Sequence, residues 1–413
     1  MEKERAKLLI LRATDVGLLM LILTLPFSPR WGSLSMIFLG LFGVINVLYT
    51  KKWIPPPYFI FFLIGAYGSR MLWLPSSHDL SFGLKCLETE LPLLAIPIIF
   101  SLFKVTESTK SFLLAAFVLM AFCVMIYSFI QLFFYIQQSP YAFFEYMDIH
   151  FVTAQYYAQL NMLTWDFAHY SFLSVIVVYG LHLLIYRNSN TRLFRSFILV
   201  YIITAITFFI FTGSKSGLAL LIISFVVYGS IRFRNVLAKK ISIALLFSIS
   251  MIALAYMSQL NIKEYLQKLD SQRYQFFAVS IEKLKESPLF GFGTGATKEI
   301  IQDIDFAEEV GFSRAVYEGK DANHPHNQYL SELLQFGIIG SIPLFSFLIS
   351  GFITSYKDQN WELLNVIISV SVFMLVESPI NSNKGVLPFV ILVSLLADKE
   401  LKNNSNLHEQ KMG

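Results

Sequence analysis

Apolar runs close to the roughly 20 residues that cross a bilayer recur along the chain, near 9–28, 34–50, 57–75, 89–104, 112–137, 168–186, 195–212, 216–231, 240–258, 328–355, 362–380 and 384–397. In hydrocarbon every backbone N–H and C=O must be satisfied within the chain, so runs of this length fold as helices. Of the 413 residues 55% are hydrophobic and only 15% charged, which leaves too little polar surface for a soluble domain. The sequence predicts an all-α polytopic membrane protein, with about twelve transmembrane helices and one large extracytoplasmic helical loop.

Lysines and arginines beside the spans orient them, because they concentrate on the cytoplasmic side. One side collects Lys3, Arg5, Lys7, Lys51, Lys52, Lys104, Lys110, Arg187, Arg192, Arg195, Arg232, Arg234, Lys239, Lys240, Lys357, Lys399, Lys402 and Lys411. The other carries Arg30, Arg70, the stretch 138–167 without Lys or Arg, Lys215, the loop 259–327 and Lys384. This pattern predicts nine spans in 1–258, a periplasmic loop over 259–327, three spans in 328–398 and a polar tail over 399–413, both termini being cytoplasmic. The net charge of +4 is mostly this topology signal. The long loop is mixed in charge, with eight basic against eleven acidic residues, so nucleic acid is excluded as a partner. The two cysteines, Cys86 and Cys123, support neither a disulfide framework nor a metal cluster, and no cofactor is expected.

Chemistry-bearing residues gather on the extracytoplasmic side. Asn323–Gly340 joins closely spaced histidines to an apolar helix. Pro325 suits a first helical turn, with Asn323 or His324 as cap and His326 near the start, where the positive end of the helix dipole suits a neutral ring acting as a base. The alternative is a capping or interfacial histidine. Gly337 lies eleven residues on, about three turns, which predicts one stripe of His326, Leu330, Leu333, Gly337 and Gly340.

In the turn Thr212–Gly217, Lys215 reads either as a phosphate grip or as a lysine snorkelling at a helix end. Tyr274, Phe277, Ala278, Ile281 and Leu284 recur at helical spacing and predict a surface helix over 271–286, opened by Arg273. The Gly291, Gly293 and Gly295 run is a flexible turn or an anion-binding nest. His169 with Asp166, Glu377 with Asn381 and Lys384, and Arg70 sit at span ends, as interfacial anchors or as functional groups, Arg70 as a second phosphate contact.

His326-Asn327, nine residues, then Gly337-Ile338-Ile339-Gly340 is similar to a pattern of the O-antigen ligase and O-antigen polymerase family of bacterial inner membranes. Arg273 with its helix and Ser287-Pro288-Leu289-Phe290-Gly291-Phe292-Gly293 resembles a second family run, and Thr212–Gly217 occupies the place of a third. The resemblance implies a metal-independent, inverting glycosyltransferase of lipopolysaccharide or surface polysaccharide biosynthesis. It would move a glycan from undecaprenyl diphosphate to a sugar hydroxyl of lipid A core or a growing chain, at the periplasmic face of the inner membrane. Carried over, Lys215 and Arg273 would bind the diphosphate, His326 would activate the acceptor, and Asn327 would orient the histidine helix or the acceptor. Lys215 stands where the family usually has arginine, a point charge in place of a fork. A polymerase of the same family, a flippase or transporter for lipid-linked sugars, and a non-catalytic assembly protein are the competing readings.

Overall fold

A computed structural model describes residues 2–27, 29–137, 170–186, 191–232, 271–303 and 325–397. The expectations for 138–167, His169 and Asp166, the span near 240–258, the connection 311–322 and the tail fall outside these residues.

Among the described residues the structure is helical throughout: α1 Glu2–Leu23, α2 Pro29–Thr50, α3 Phe61–Trp73, α4 Leu80–Glu90, α5 Pro92–Ser101, α6 Glu107–Gln137, α7 Tyr170–Tyr186, α8 Arg192–Phe211, α9 Lys215–Arg232, α10 Ser271–Leu284, α11 Ala296–Gln302, α12 Gln328–Lys357, α13 Trp361–Phe373 and α14 Asn383–Leu396. Five stretches among them are long and apolar enough to cross a bilayer: Arg30–Thr50, Tyr58–Ser76, Glu107–Phe134, Arg192–Phe211 and Gln328–Lys357. Ser171–Tyr186, Lys215–Ile231, Trp361–Phe373 and Asn383–Leu396 are shorter apolar helices.

The run near 89–104 departs from a full span. Pro92 opens α5 just after α4 ends at Glu90, and α5 has ten residues. That is about 15 Å of helix, half the hydrocarbon thickness. Proline has no N–H to continue the ladder, so the chain turns at Leu91.

The helices pack on apolar faces, α3 against α12, α5 against α14, and α7 against α6, α9 and α13. One core runs through them, filled by Phe117, Tyr201, Phe347 and Phe389. The outer surface is apolar too, with Leu48, Leu72 and Leu193 each more than 70% exposed. A helix apolar both inward and outward is suited to lipid.

Cross-helix contacts sort the helix ends. Tyr58 meets Thr354, Trp53 donates to Ser101 Oγ at 2.9 Å, and Asn360 donates to the Leu396 carbonyl at 2.7 Å, all at one end. At the other end Phe172 packs on Phe373, and Ser174 donates to Ser214 at 2.8 Å. Gln328 begins α12 there, donating to Asn381 at 3.1 Å. The predicted surface helix over 271–286 is present as α10, and it carries apolar residues on two faces. Phe276 and Val279 are buried against α11 and the start of α12, whereas Phe277 and Ile281 remain exposed.

Candidate active site

His326 lies just before α12 rather than inside its first turn. Asn327 is the cap: its Oδ1 accepts from Leu330 N–H at 2.9 Å, and its Nδ2 donates to the Leu375 carbonyl at 3.1 Å. Asparagine suits this position because its short amide reaches the exposed N–H groups of a first turn. His326 takes a left-handed backbone, φ +51°, which costs a non-glycine residue about 1–2 kcal/mol. That turn swings the imidazole away from the helix axis toward the end of α13.

There Glu377 joins the two groups. Its Oε2 lies 3.1 Å from His326 Nδ1, and its Oε1 accepts from Arg273 Nη2 at 3.1 Å. Arg273 also donates through Nη1 to the Val376 carbonyl at 3.1 Å. The carboxylate is 6% exposed, while the histidine and arginine side chains are 32% and 39% exposed. A buried acid thus holds two accessible groups side by side. An ionised carboxylate only accepts, so pairing with it requires the proton on Nδ1, which in a neutral ring leaves Nε2 as the acceptor nitrogen. Gln328 fixes the frame. Its N–H donates to the carbonyls of Met374 and Glu377 at 2.8 and 3.2 Å, and its Oε1 accepts from Ile380 N–H at 2.9 Å.

Lys215 is the first residue of α9, exposed, and lies outside this hydrogen-bonded cluster. It shares the cluster's end of the bundle, because Ser214 beside it bonds Ser174 on α7, whose Phe172 packs on Phe373 shortly before Glu377. The turn is tight: Gly213 has φ +63°, and Ser214 Oγ accepts from Gly217 N–H at 3.1 Å, capping α9.

Arg70 stands apart from the role of a phosphate contact, and equally from that of an interfacial anchor. Its guanidinium is fully buried, paired with Glu90 and Glu332, donating to the Ala66 carbonyl at 2.9 Å and lying 4.8 Å above the Phe336 ring. Two carboxylates already surround this cation, so it links α3, α4 and α12. Sequence reasoning passed over Glu90 and Glu332, although a carboxylate inside an apolar run is itself a signal.

The predicted stripe from His326 through Gly337 and Gly340 is also corrected. Gly337 interrupts α12 with φ 61° and ψ −170°, so helical spacing does not carry across it. The chain 288–295 fills the break. Phe292 and Gly293 donate to the Leu334 and Gln335 carbonyls, both at 2.8 Å, and Ile338 and Ile339 donate to the Pro288 and Leu289 carbonyls at 2.9 and 3.1 Å. A Cβ on Gly337 would fall on the Leu289 carbonyl, and one on Gly291 would lie 2.6 Å from Gly337 N. Both glycines are required by close backbone approach. Gly340 packs within the second half of α12 against Trp73. The glycine run is not an anion nest: the N–H groups of Gly291, Phe292, Gly293, Thr294 and Gly295 donate to Ser287, Leu334, Gln335, Trp73 and the Gln335 side chain. Among the described residues no group of His, Cys, Asp and Glu is arranged to hold a metal ion.

Residues 200–346 match the family model described as O-antigen ligase. Over that stretch the chain is similar to the O-antigen ligase family. The match spans Lys215, Arg273, His326, Asn327, Gly337 and Gly340, which is about a third of the chain, and supports assignment to the O-antigen ligase and polymerase family of membrane glycosyltransferases. Glu377 lies beyond the matched residues, yet touches both Arg273 and His326. No curated protein matches the chain.

Proposed function

We propose that the chain is a multi-pass glycosyltransferase of the bacterial inner membrane, transferring a glycan from undecaprenyl diphosphate to an acceptor sugar hydroxyl at the periplasmic face. The observation that carries this reading is the Arg273–Glu377–His326 cluster, at the end of the bundle where Lys215 opens α9 and with Lys215, Arg273 and His326 inside the stretch similar to the ligase family.

In the reaction the bond between the anomeric carbon and the diphosphate oxygen breaks as the acceptor oxygen bonds to that carbon from the opposite face, inverting it. Undecaprenyl diphosphate leaves with the bonding electron pair, and the acceptor proton passes to His326 Nε2. Glu377 holds Nδ1–H, orients the ring and offsets the imidazolium as it forms. Arg273 is tethered by Glu377 and Val376 with its guanidinium plane partly exposed, a geometry that suits two phosphate oxygens. Lys215 adds a second positive charge. With the leaving group already good, positioning and charge supply most of the rate.

The test is a reconstituted assay with lipid-linked glycan and acceptor, following release of undecaprenyl diphosphate. Wild type releases it; His326→Ala slows release by at least about 10²-fold. Release by that variant at the wild-type rate would refute the base. A flippase moves the lipid without releasing diphosphate. Offering lipid A core or a second lipid-linked glycan as acceptor separates ligation from polymerisation.

A further inference from the structure

The turn Pro288-Leu289-Phe290, which fills the break of α12 at Gly337, carries bare apolar side chains: Leu289 is 52% and Phe290 59% exposed. Its level on the bundle is fixed by hydrogen bonds. The carbonyls of Pro288 and Leu289 accept from Ile338 and Ile339 N–H, and that of Phe290 accepts from the Trp73 indole N–H. From Ile338 to Lys357, the charged end of α12, is about 28 Å of helix. A lysine there belongs at a headgroup level, and the hydrocarbon of a bilayer is about 30 Å thick. Leu289 and Phe290 therefore stand at the far edge of the hydrocarbon, and any tilt of α12 carries them deeper.

Two further features fit that depth. The three carbonyls of the turn are already paired, which non-helical backbone at membrane depth requires. The apolar surface also continues, from Leu289 and Phe290 onto exposed Ile338, Ile339 and Ile342 of α12 and exposed Leu72 beside Trp73. A protein interface is rimmed by polar residues. Here the ion pairs Lys283–Glu286 and Lys285–Glu282 border the end toward α10, whereas the end toward α12 runs into the apolar flank of a membrane-length helix.

We propose that Leu289 and Phe290 form a wedge seated among the acyl chains of the leaflet on the His326 side, holding the end of α10, the helix of Arg273, at the headgroups. A loop that the sequence places wholly outside the bilayer thereby returns two side chains to it. The wedge stands whether or not the transfer chemistry above is correct.

Photolabelling of the wild-type full chain in phosphatidylcholine vesicles, with a diazirine on the lipid acyl chain, tests it. Adducts mapped by mass spectrometry should fall on Leu289 and Phe290 as well as on Ile338, Ile339 and Ile342. Adducts on the α12 residues with none on the turn overturn the proposal. Depth is read separately by a spin label at Phe290→Cys, with Cys86→Ser and Cys123→Ser removing the native thiols. There, collisions with oxygen should exceed those with a water-soluble nickel chelate, and the order should reverse at exposed Lys285→Cys. A label at position 290 reached mainly by the nickel chelate overturns the wedge. So does a label that neither reagent reaches, because a protein partner would then cover the turn.

Discussion

His326 separates backbone shape from chemistry. Its left-handed φ is tolerated by asparagine, whose side chain bonds its own backbone, and resisted by β-branched residues. His326→Asn is therefore expected to unfold within about 1 kcal/mol of wild type while losing transfer; thermal melting in detergent alongside the release assay reads both. Glu377→Gln removes the charge that orients the ring and tethers Arg273, so kcat should fall by about 10²-fold, with Glu377→Asp intermediate. An unchanged kcat in Glu377→Gln would remove the carboxylate from the mechanism. Arg273→Lys keeps the charge but loses the fork, and is expected to raise KM for the lipid-linked donor more than it lowers kcat.

Individual elements show why a broken helix was read as a continuous one. The periodicity of 328–355 is helical on both sides of Gly337, and the left-handed residue inserts no polar signal into the run. What breaks the helix comes from 288–295, a partner distant in sequence, whose own glycines had suggested a nest. Gly337→Ala should destabilise the fold by about 2–4 kcal/mol, because a side chain there meets backbone. Gly68, with nothing near its absent Cβ, should accept alanine within about 0.5 kcal/mol. Chemical denaturation of the two variants in one detergent makes the comparison. Spacing did place α8, α9, α10 and the turn at Lys215, because there the neighbours are local. The bridge from Glu377 to His326 and Arg273 was not legible, since it joins residues 51 and 104 positions apart.

Across the whole molecule, a buried ionic cluster ties α3 and α4 to α12. Arg70 on α3 pairs with Glu90 on α4 and Glu332 on α12, with Gln328 donating to the same Glu332 at 2.9 Å. Removing the cation alone strands two acids in the interior, so Arg70→Met should cost about 3–5 kcal/mol. Adding Glu90→Gln and Glu332→Gln should restore part of it, read as the recovered melting temperature. A triple variant no more stable than the single one would mean that packing, not charge, carries the effect.

The proposed base and its carboxylate sit on consecutive helices whose connecting turn, Asp358–Asn360, lies at the far end of the bundle. Because Gln328 staples this end directly to Met374 and Glu377, the alignment of the two groups does not depend on that distant turn alone. An affinity tag or a fluorophore inserted there, with Asn360 kept as the cap of α13, should leave the Arg273–Glu377–His326 contacts in place, giving a handle for following the proposed transfer.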